Sequence, residues 1–171
     1  MLDIFKKRRS HRSYLDKKVE STKIKEILKA AMTAPSAYHR YPWEFIVVQT
    51  QALKNKLSLA TSYSSFAAES SVVMVVCANM NKAYRWIEDC SIVAEHIYLE
   101  ATNQGLGTCW IQIRGMETAE GKDSEEHLRQ VLKIPSHIRI LCLMPIAYPA
   151  KKLSGHDESL YQGEKVHREL W

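Results

Sequence analysis

Three side chains near the start of the chain, Arg8, Ser10 and Arg12, have the types and spacing of a phosphate-binding segment. Alternate residues of an extended segment lie on one face. Two guanidinium groups and a hydroxyl on that face would supply planar, charge-assisted donors to a phosphate. A solvated basic helix end, favoured by the helix dipole, would account for the same residues. Both interpretations stay open on this segment alone.

A second segment is the loop from Pro35 to Pro42, which is rich in side chains able to hydrogen bond a ligand. Its flanking prolines restrict the backbone, and the run Phe45-Ile46-Val47-Val48 that follows has the composition of a buried strand. Such a loop suits contacts to the edge of a planar ring. The alternative is an ordinary loop in which Trp43 anchors the core.

A third segment runs from Gly105 to Gln112 and has the sequence Gly-Leu-Gly-Thr-Cys-Trp-Ile-Gln. It is not a dinucleotide-binding fingerprint, because the glycine spacing differs and the glycines follow a helix and enter a strand. We expect Gly105 to end the helix and Gly107 to allow a close backbone approach. A purely structural role for the segment is the alternative.

Other catalytic classes lack support in the sequence. The four cysteines are widely spaced without a CxxC pair, and the seven histidines have no metal-ligand spacing. No Ser/His/Asp or Cys/His arrangement can be placed together. We therefore predict buried free thiols, no metal site, and a location in the reducing cytoplasm.

The composition restricts the partners. The chain has 171 residues, 46% hydrophobic and 25% charged, with a formal net charge of +5. The positive charge serves solubility, or part of it faces a phosphate. The basic residues lack the interleaved aromatics of single-strand binders and show no helix-turn-helix or zinc-finger spacing, so we expect no nucleic-acid partner. No apolar run approaches the length of a membrane span, and no apolar segment follows the basic N-terminus, so we expect no membrane association and no secretory signal.

The elements that must position these segments alternate along one predicted domain, residues 1–171. Helices are predicted over 2–9, from a Ser21 or Thr22 cap, over 52–60, over 82–104, and from an Asp123 or Ser124 cap to just before Pro135. Strands are predicted over 44–49, 72–78, 107–113 and 138–147, with Pro145 tolerable only near a strand end or on an edge. The helix over 82–104 is apolar on more than one face, so a second subunit is expected to cover one of them. Residues 149–171 form an aperiodic tail.

Taken in order, these pieces resemble the nitroreductase family over nearly the whole chain. The motifs that carry the resemblance are Arg8-Arg9-Ser10-His11-Arg12, Ala34-Pro35-Ser36, Pro42-Trp43-Glu44-Phe45, Gly105-Leu106-Gly107-Thr108-Cys109-Trp110 and Ala147-Tyr148-Pro149-Ala150-Lys151-Lys152. The resemblance implies an α+β fold with a mostly antiparallel central sheet flanked by helices. It also implies a domain-interlocked homodimer, with FMN at the interface and residues 149–171 draped over the partner subunit.

Site residues follow from the same resemblance. Arg8, Ser10 and Arg12 would hold the FMN phosphate and the polar side of the ring system, with Lys152 and Lys151 adding phosphate contacts. The partner would contribute Pro35, Ser36, Ala37 and His39. Residues Trp110, Ile111 and Gln112 would lie near the reactive edge of the flavin, where backbone N–H groups can meet it.

Four positions depart from the family pattern. His39 stands where Asn is usual, Tyr41 where Gln is usual, and Gln112 and Ala147 where Gly is frequent. His39 is either a flavin contact or a surface histidine, and Tyr41 would narrow the pocket above the ring. Gln112 would crowd the flavin edge or add a donor there. The substitutions bear on substrate choice, redox tuning and flavin affinity, and not on the fold.

The resemblance implies an enzyme that takes a hydride from NADH or NADPH and passes it, by a ping-pong mechanism, to a small conjugated acceptor such as a nitroaromatic or quinone. No catalytic side chain is required, because the flavin carries the chemistry. An FMN-binding protein for flavin handling or sensing, without nicotinamide turnover, is the alternative. A third hypothesis is an interaction module without a cofactor.

Overall fold

The computed structural model describes the backbone of residues 1–171 and every side chain except that of Glu158. Its α-helices are α1 (Asp3–Lys7), α2 (Ser21–Met32), α3 (Gln51–Leu57), α4 (Trp86–Asn103) and α5 (Ser124–Leu132). Its strands are β1 (Trp43–Val48), β2 (Val72–Asn79), β3 (Gly107–Thr108), β4 (Ile111–Gln112) and β5 (Ile138–Ala147). Short 3₁₀ turns cover Ala37–His39, Ser65–Glu69, Glu158–Leu160 and Gly163–Lys165. No helix in the described chain has the length and apolar character needed to span a bilayer.

The strands form one antiparallel sheet in the order β1-β2-β5-β3, with β4 also paired to β5. β3 and β4 share a single register on β5, since Gly107 pairs with Ala147 and Ile111 pairs with Leu143. They are therefore the two halves of the single strand predicted over 107–113. The predicted α+β architecture with an antiparallel sheet is observed.

The break between β3 and β4 has a local cause in Pro145. The shared register sets Pro145 opposite Cys109, and proline has no N–H to donate to the ladder. β5 lies between β2 and the β3–β4 pair, so Pro145 sits near the end of an interior strand rather than on an edge. Of the two positions predicted for it, the strand end is the one observed.

The core lies on both faces of the sheet. Along β2, Met74 and Val76 pack in one apolar cluster with α2 and α4, while Val73 and Val75 pack in the other with α3 and α5. This alternation is what a strand buried on both faces requires. β2 has the longest apolar run in the chain for that reason.

The C-terminal end of α4 agrees with the prediction, and its N-terminal end does not. Gly105 ends the helix as expected, with φ +72° and a bond from the Leu106 N–H to the Ala101 carbonyl oxygen of 2.8 Å. The predicted start at residue 82 is wrong. The N–H groups of Lys82 and Ala83 both bond to the Asn79 carbonyl oxygen, which closes a turn before the helix begins at Trp86.

For each of two other helices, α2 and α5, the sequence predicted two alternative N-cap residues. The predicted cap of α2 at Ser21 or Thr22 is wrong, because the N-cap residue is Glu20 and no side chain caps this helix. The Glu20 carboxylate instead accepts a hydrogen bond from the Tyr148 hydroxyl at 2.8 Å. For α5 the cap is Asp123, whose carboxylate accepts the Glu126 N–H at 2.7 Å.

One face of α4 is uncovered in the single chain. Val93, Ile97 and the other inward residues are fully buried, but Ile92 is 39% exposed and Leu99 is half-buried. Leu99 borders a shallow apolar depression shared with Ile4 of α1. The prediction of apolar side chains on more than one face of this helix is thus observed.

Candidate functional site

The basic segment predicted to bind phosphate lies along the outer edge of β3. Ser10 forms a parallel bridge with Thr108, and the His11 N–H donates to the Thr108 carbonyl oxygen at 2.9 Å. A Cβ atom on Gly107 would lie 2.8 Å from the His11 Cβ, closer than side chains tolerate. Gly107 therefore permits the close approach expected of it, and this approach fixes the path of residues 8–12.

Tyr98 of α4 connects three of the predicted site residues. Its hydroxyl lies 3.1 Å from the Ser10 Oγ and accepts the Trp110 N–H at 2.7 Å. The Arg8 guanidinium lies 5.3 Å from the centre of the Tyr98 ring, within cation–π range. Arg8, Ser10 and Trp110 thus meet at one buried phenol. Burial raises the pKa of Tyr98, so the hydroxyl stays neutral and keeps its proton for hydrogen bonding.

Sequence analysis did not identify Tyr98, because it lies on an apolar stretch of the long helix. The available signal was its hydroxyl. A tyrosine buried among aliphatic residues needs a hydrogen-bond partner, and Ser10 and the Trp110 N–H are the partners that the fold provides.

A cluster of cations forms where the two ends of the domain meet. Tyr14 and Pro149 form an antiparallel bridge, and the Ala150 N–H bonds to the Ser13 carbonyl oxygen at 3.0 Å. Arg12 precedes this pairing on one segment, and Lys151 and Lys152 follow it on the other, where the backbone bends. The side chains of Arg12, Lys151 and Lys152 are exposed and form no hydrogen bond or ion pair with any described group.

Arg8 and Arg9 are instead engaged by the tail. The Arg8 guanidinium lies 3.1 Å from the His156 Nε2, which must be the acceptor because arginine only donates. Arg9 donates to the Ser154 carbonyl oxygen. The His156 N–H bonds to the Lys6 carbonyl oxygen at 2.8 Å. In this chain, residues 154–156 therefore lie on the N-terminal helix and hold the Arg8 side chain in place.

The three residues predicted at the flavin edge differ in the direction of their N–H groups. Ile113 donates its N–H to β5, and successive N–H groups of a strand point to opposite sides. The Ile111 N–H therefore faces β5, while the Gln112 N–H faces the open outer edge. Since Tyr98 takes the Trp110 N–H, Gln112 offers the outward backbone donor of this set.

The Gln112 side chain folds along its own strand. Its Oε1 accepts from the Trp110 indole N–H at 2.9 Å, and its Nε2 donates to the Arg114 carbonyl oxygen at 2.7 Å. The amide thus holds the Trp110 ring against the sheet edge. This is the role that the structure gives to a side chain where glycine is frequent.

The loop from Pro35 to Pro42 is held by the start of α4. The Ala37 N–H donates to the Asp89 carboxylate at 2.9 Å, and the Tyr41 N–H donates to the Ser36 Oγ at 2.9 Å. Pro35 is exposed beside them. Asp89 is 3% exposed and was not identified from the sequence, where it resembled an ordinary acidic residue in the first turn of a helix.

Three residues of this loop, Tyr38, His39 and Tyr41, have positive φ angles of 55°, 54° and 46°. Such backbone is uncommon outside glycine, and asparagine and histidine tolerate it better than most residues. His39 is exposed, and its Nδ1 lies 3.2 Å from the Tyr41 hydroxyl. The Tyr41 ring packs edge-on against Trp43 at 5.4 Å. The two substituted side chains thus contact each other and reinforce a strained loop.

The loop and the Tyr98 cluster do not meet within one chain. Asp89 and Tyr98 lie nine residues apart on α4, or about 13 Å along its axis. Arg8, Ser10 and Trp110 gather at one end, whereas Ser36 and Ala37 gather at the other. The predicted site residues therefore lie in two groups at different positions along α4.

Two features of the described residues fit a bound flavin: exposed positive charge suited to its phosphate, and buried polar atoms that lack a hydrogen-bond partner. Arg12, Lys151 and Lys152 supply exposed positive charge suited to a phosphate dianion. Among the described side chains, two buried oxygens lack a hydrogen-bond partner, the Asp89 Oδ2 and the Thr108 Oγ1. Asp89 bonds to Ala37, and Thr108 is bridged to Ser10, so each oxygen lies beside a residue predicted to bind the flavin. Buried oxygens of this kind call for a partner.

Comparison with known proteins defines the class. The model of the nitroreductase family matches residues 5–64 and 58–148, which together span most of the chain. The chain belongs to the nitroreductase family, as its motifs predicted, and the class is that of an oxidoreductase.

Individual relatives agree with this assignment. The structure of an FMN-dependent nitroreductase from Clostridium difficile superposes with a TM-score of 0.94 at 36% identity, covering 100% of both chains. A Parabacteroides distasonis structure superposes with a TM-score of 0.90 at 30% identity, covering 99% of this chain and 97% of the other. A Methanothermobacter thermautotrophicus protein, provisionally named an NADH dehydrogenase or NAD(P)H nitroreductase, is 33% identical over 100% of this chain and 87% of its own length.

Proposed function

We propose that this protein is an NAD(P)H-dependent FMN oxidoreductase that passes reducing equivalents to a small conjugated acceptor, such as a nitroaromatic or a quinone. Its family membership and the FMN-dependent relative support the cofactor. The names of other relatives support the nicotinamide donor. The donor and the acceptor use the same space in turn, which makes the mechanism ping-pong.

The observation that carries the proposal is the convergence on Tyr98. Arg8 and Ser10 come from the N-terminal segment, and Trp110 comes from the strand edge. The buried Tyr98 hydroxyl bonds to Ser10 and to the Trp110 N–H, and the Tyr98 ring contacts Arg8. These contacts keep the three groups in fixed relative positions. Preorganisation of this kind is what a tightly bound cofactor requires of its site.

The phosphate binds, in this account, where the two chain ends pair. Arg12 lies two residues before Tyr14 on one segment, and Lys151 and Lys152 follow Pro149 on the segment bridged to it. All three side chains are exposed and have no partner among the described groups, so they meet a phosphate without breaking an existing ion pair.

FMN, when bound, supplies a two-electron carrier between the nicotinamide and the acceptor. The chain supplies binding, position and charge. The Arg8 guanidinium, held by His156 and the Tyr98 ring, places positive charge beside the ring system. The Gln112 N–H offers a backbone donor at the open edge of the sheet. No described side chain needs to transfer a proton for the hydride to move.

The protein acts as a homodimer in this proposal. The loop residues Pro35, Ser36, Ala37 and His39 complete the site of the partner subunit, as the family resemblance implies. Their attachment to Asp89, near the start of α4, keeps them apart from the groups that meet at Tyr98. The open face of α4 at Ile92 and Leu99 supplies apolar surface for the contact. The free, buried cysteines are those of a protein kept in the reducing cytoplasm.

The test is an FMN titration of the wild type and of Tyr98→Phe. We expect the wild type to retain FMN through desalting and Tyr98→Phe to bind it at least about tenfold more weakly, since the Ser10 hydroxyl and the Trp110 N–H both lose their partner. Tyr148→Phe, which removes a phenol hydroxyl that bonds to Glu20 and to none of the predicted site residues, should bind FMN like the wild type. Equal affinity for all three would refute the role given to Tyr98.

A further inference from the structure

One cavity of the protein is lined by residues other than those assigned to the flavin. It has a volume of about 770 Å³ and lies between residues 14–18, residues 49–54 at the start of α3, and residues 68–71. This volume is within the range of small-molecule sites, which run from about 300 to 1,000 Å³. None of the residues at 8–12, 35–39, 110–112 or 151–152 lines it.

The cavity contains a buried ammonium group. Lys54 is 6% exposed, and its Nζ donates to the Ser70 carbonyl oxygen. A lysine ammonium has three N–H donors. Lys54 forms no ion pair with any described carboxylate, so this one neutral acceptor leaves most of its hydrogen-bonding capacity unused.

A buried charge in this state is costly, because desolvation is offset only when the charge is paired. Burial lowers the pKa of Lys54, and the carboxylate of Asp16 partly opposes this effect without reaching ion-pair distance. An anion placed against Lys54 would supply the missing partner.

The other charged residues of the cavity are oriented away or lie in solvent. The Lys17 ammonium sits 3.9 Å from the centre of the Tyr148 ring. Lys18, Asp16 and Glu69 are exposed at the rim. Three lysines against two carboxylates leave the lining with a net positive charge, and the deepest of these charges is that of Lys54.

Polar and apolar groups of the lining suit an organic anion. The Ser71 Oγ accepts the Val19 N–H at 2.7 Å, which leaves its own proton to donate. Leu15 and Ala68 supply apolar surface beside the ammonium. We propose that this cavity is a ligand site for a small organic anion, whose carboxylate or phosphoryl group binds Lys54 while its apolar part lies against Leu15 and Ala68. The proposal does not depend on the flavin assignment.

The experiment is a titration of the full-length protein, labelled at its leucine and alanine methyl groups, with benzoate and phenyl phosphate. Benzamide, a neutral molecule of the same shape as benzoate, is the ligand control. We expect saturable shifts of the Leu15 and Ala68 methyl signals with benzoate or phenyl phosphate and none with benzamide. The tighter of the two acids identifies the preferred anionic group. Leu15 and Ala68 line this cavity from different segments, so shifts of both signals together report binding in it.

Lys54→Met and Lys56→Met are the matched variants. Methionine keeps an unbranched apolar stem of similar length, so we expect Lys54→Met to fold. It should bind the acids at least about tenfold more weakly, since a charge-assisted hydrogen bond is lost. Lys56 is exposed on the same helix, and its variant should bind like the wild type.

Equal shifts with benzamide, or unchanged affinity in Lys54→Met, would overturn the proposal, as would the absence of saturable shifts. If Lys54→Met fails to fold, the contrast between benzoate and benzamide in the wild type still decides it.

Discussion

At the scale of residues, a single phenol organises groups that are far apart in sequence. Tyr98 bonds to Ser10 and to the Trp110 N–H, and its ring lies beside Arg8. The side chains that face the phosphate in our account, Arg12, Lys151 and Lys152, remain unpaired with described groups. The site thus separates a rigid part, which positions the ring system, from an exposed part, which supplies charge.

The exposed part gives a direct prediction for Arg12→Ala. FMN should bind about ten- to a hundredfold more weakly, because a charge-assisted partner of the phosphate contributes about 1.5–3 kcal/mol. Fluorescence titration of the apoprotein with FMN measures this. Lys25→Ala, which removes an equal charge from an exposed position on α2, should leave the affinity unchanged. Wild-type affinity in Arg12→Ala would show that Arg12 does not bind the phosphate.

The burial of His11 predicts that the stability of the folded protein depends on pH. Burial lowers the pKa of His11 from its ordinary value of 6.5, and Arg9 lowers it further. Below pH 6.5 this histidine is protonated in the unfolded chain but stays neutral in the folded chain until a lower pH. The contribution of His11 to the free energy of unfolding is therefore complete above pH 6.5 and decreases as the pH falls. Urea unfolding at pH 7.5 and 5.5 should show a smaller loss in His11→Gln than in the wild type. His137→Gln, which changes an exposed histidine, should match the wild type, and an equal loss in all three would contradict the role given to His11.

At the scale of elements, the periodicity of the sequence predicted most of what forms. The strand over 138–147 is observed with those bounds, and Gly105 ends α4 as expected. The break between β3 and β4 could not be predicted, because it depends on which residue of a distant strand faces Pro145. The same holds for Tyr98 and Asp89, whose partners lie on other elements. The order of the motifs predicted which segments form the site. The contacts that join these segments depend on the tertiary structure and could not be predicted from the sequence.

The close approach at β3 makes Gly107→Ala informative. The added methyl would lie 2.8 Å from His11, so the basic segment must move from the strand. We expect a loss of about 1–3 kcal/mol in the free energy of unfolding, as for overpacking, and weaker FMN binding. Gly163→Ala is the control, because its nearest contact is a Tyr161 ring atom at 3.4 Å. Adding His11→Gly should restore part of the FMN affinity, and an unaffected Gly107→Ala would disprove the steric argument.

At the scale of the whole molecule, two of the exposed apolar regions of the single chain bear on the proposed dimer. Ile92 and Leu99 line one face of α4, and the tail beyond residue 159 exposes large apolar side chains. These are Leu160, Tyr161, Val166, Leu170 and Trp171. Residues 154–156 bond to the N-terminal helix of their own chain, so the part of the tail that drapes over a partner in our proposal is the part that follows them.

Removal of residues 160–171 should therefore weaken the dimer. Without these side chains the interface buries less apolar area, and dissociation should occur at higher protein concentration than in the full-length chain. Sedimentation velocity over a dilution series measures this. Lys165→Ala, which keeps the apolar side chains, should behave like the wild type. A truncated protein that remains a tight, flavin-loaded dimer would contradict the draped tail.

In our proposal, this protein binds FMN and reduces it with a nicotinamide. The most direct measurement is the absorption spectrum of the FMN-loaded, desalted protein under anaerobic conditions, before and after addition of NADH or NADPH. Our account predicts that the flavin bands bleach with at least one of them and return when a quinone or nitroaromatic is added. Retained flavin bands that do not bleach with either would contradict it, and would favour a flavin-handling protein.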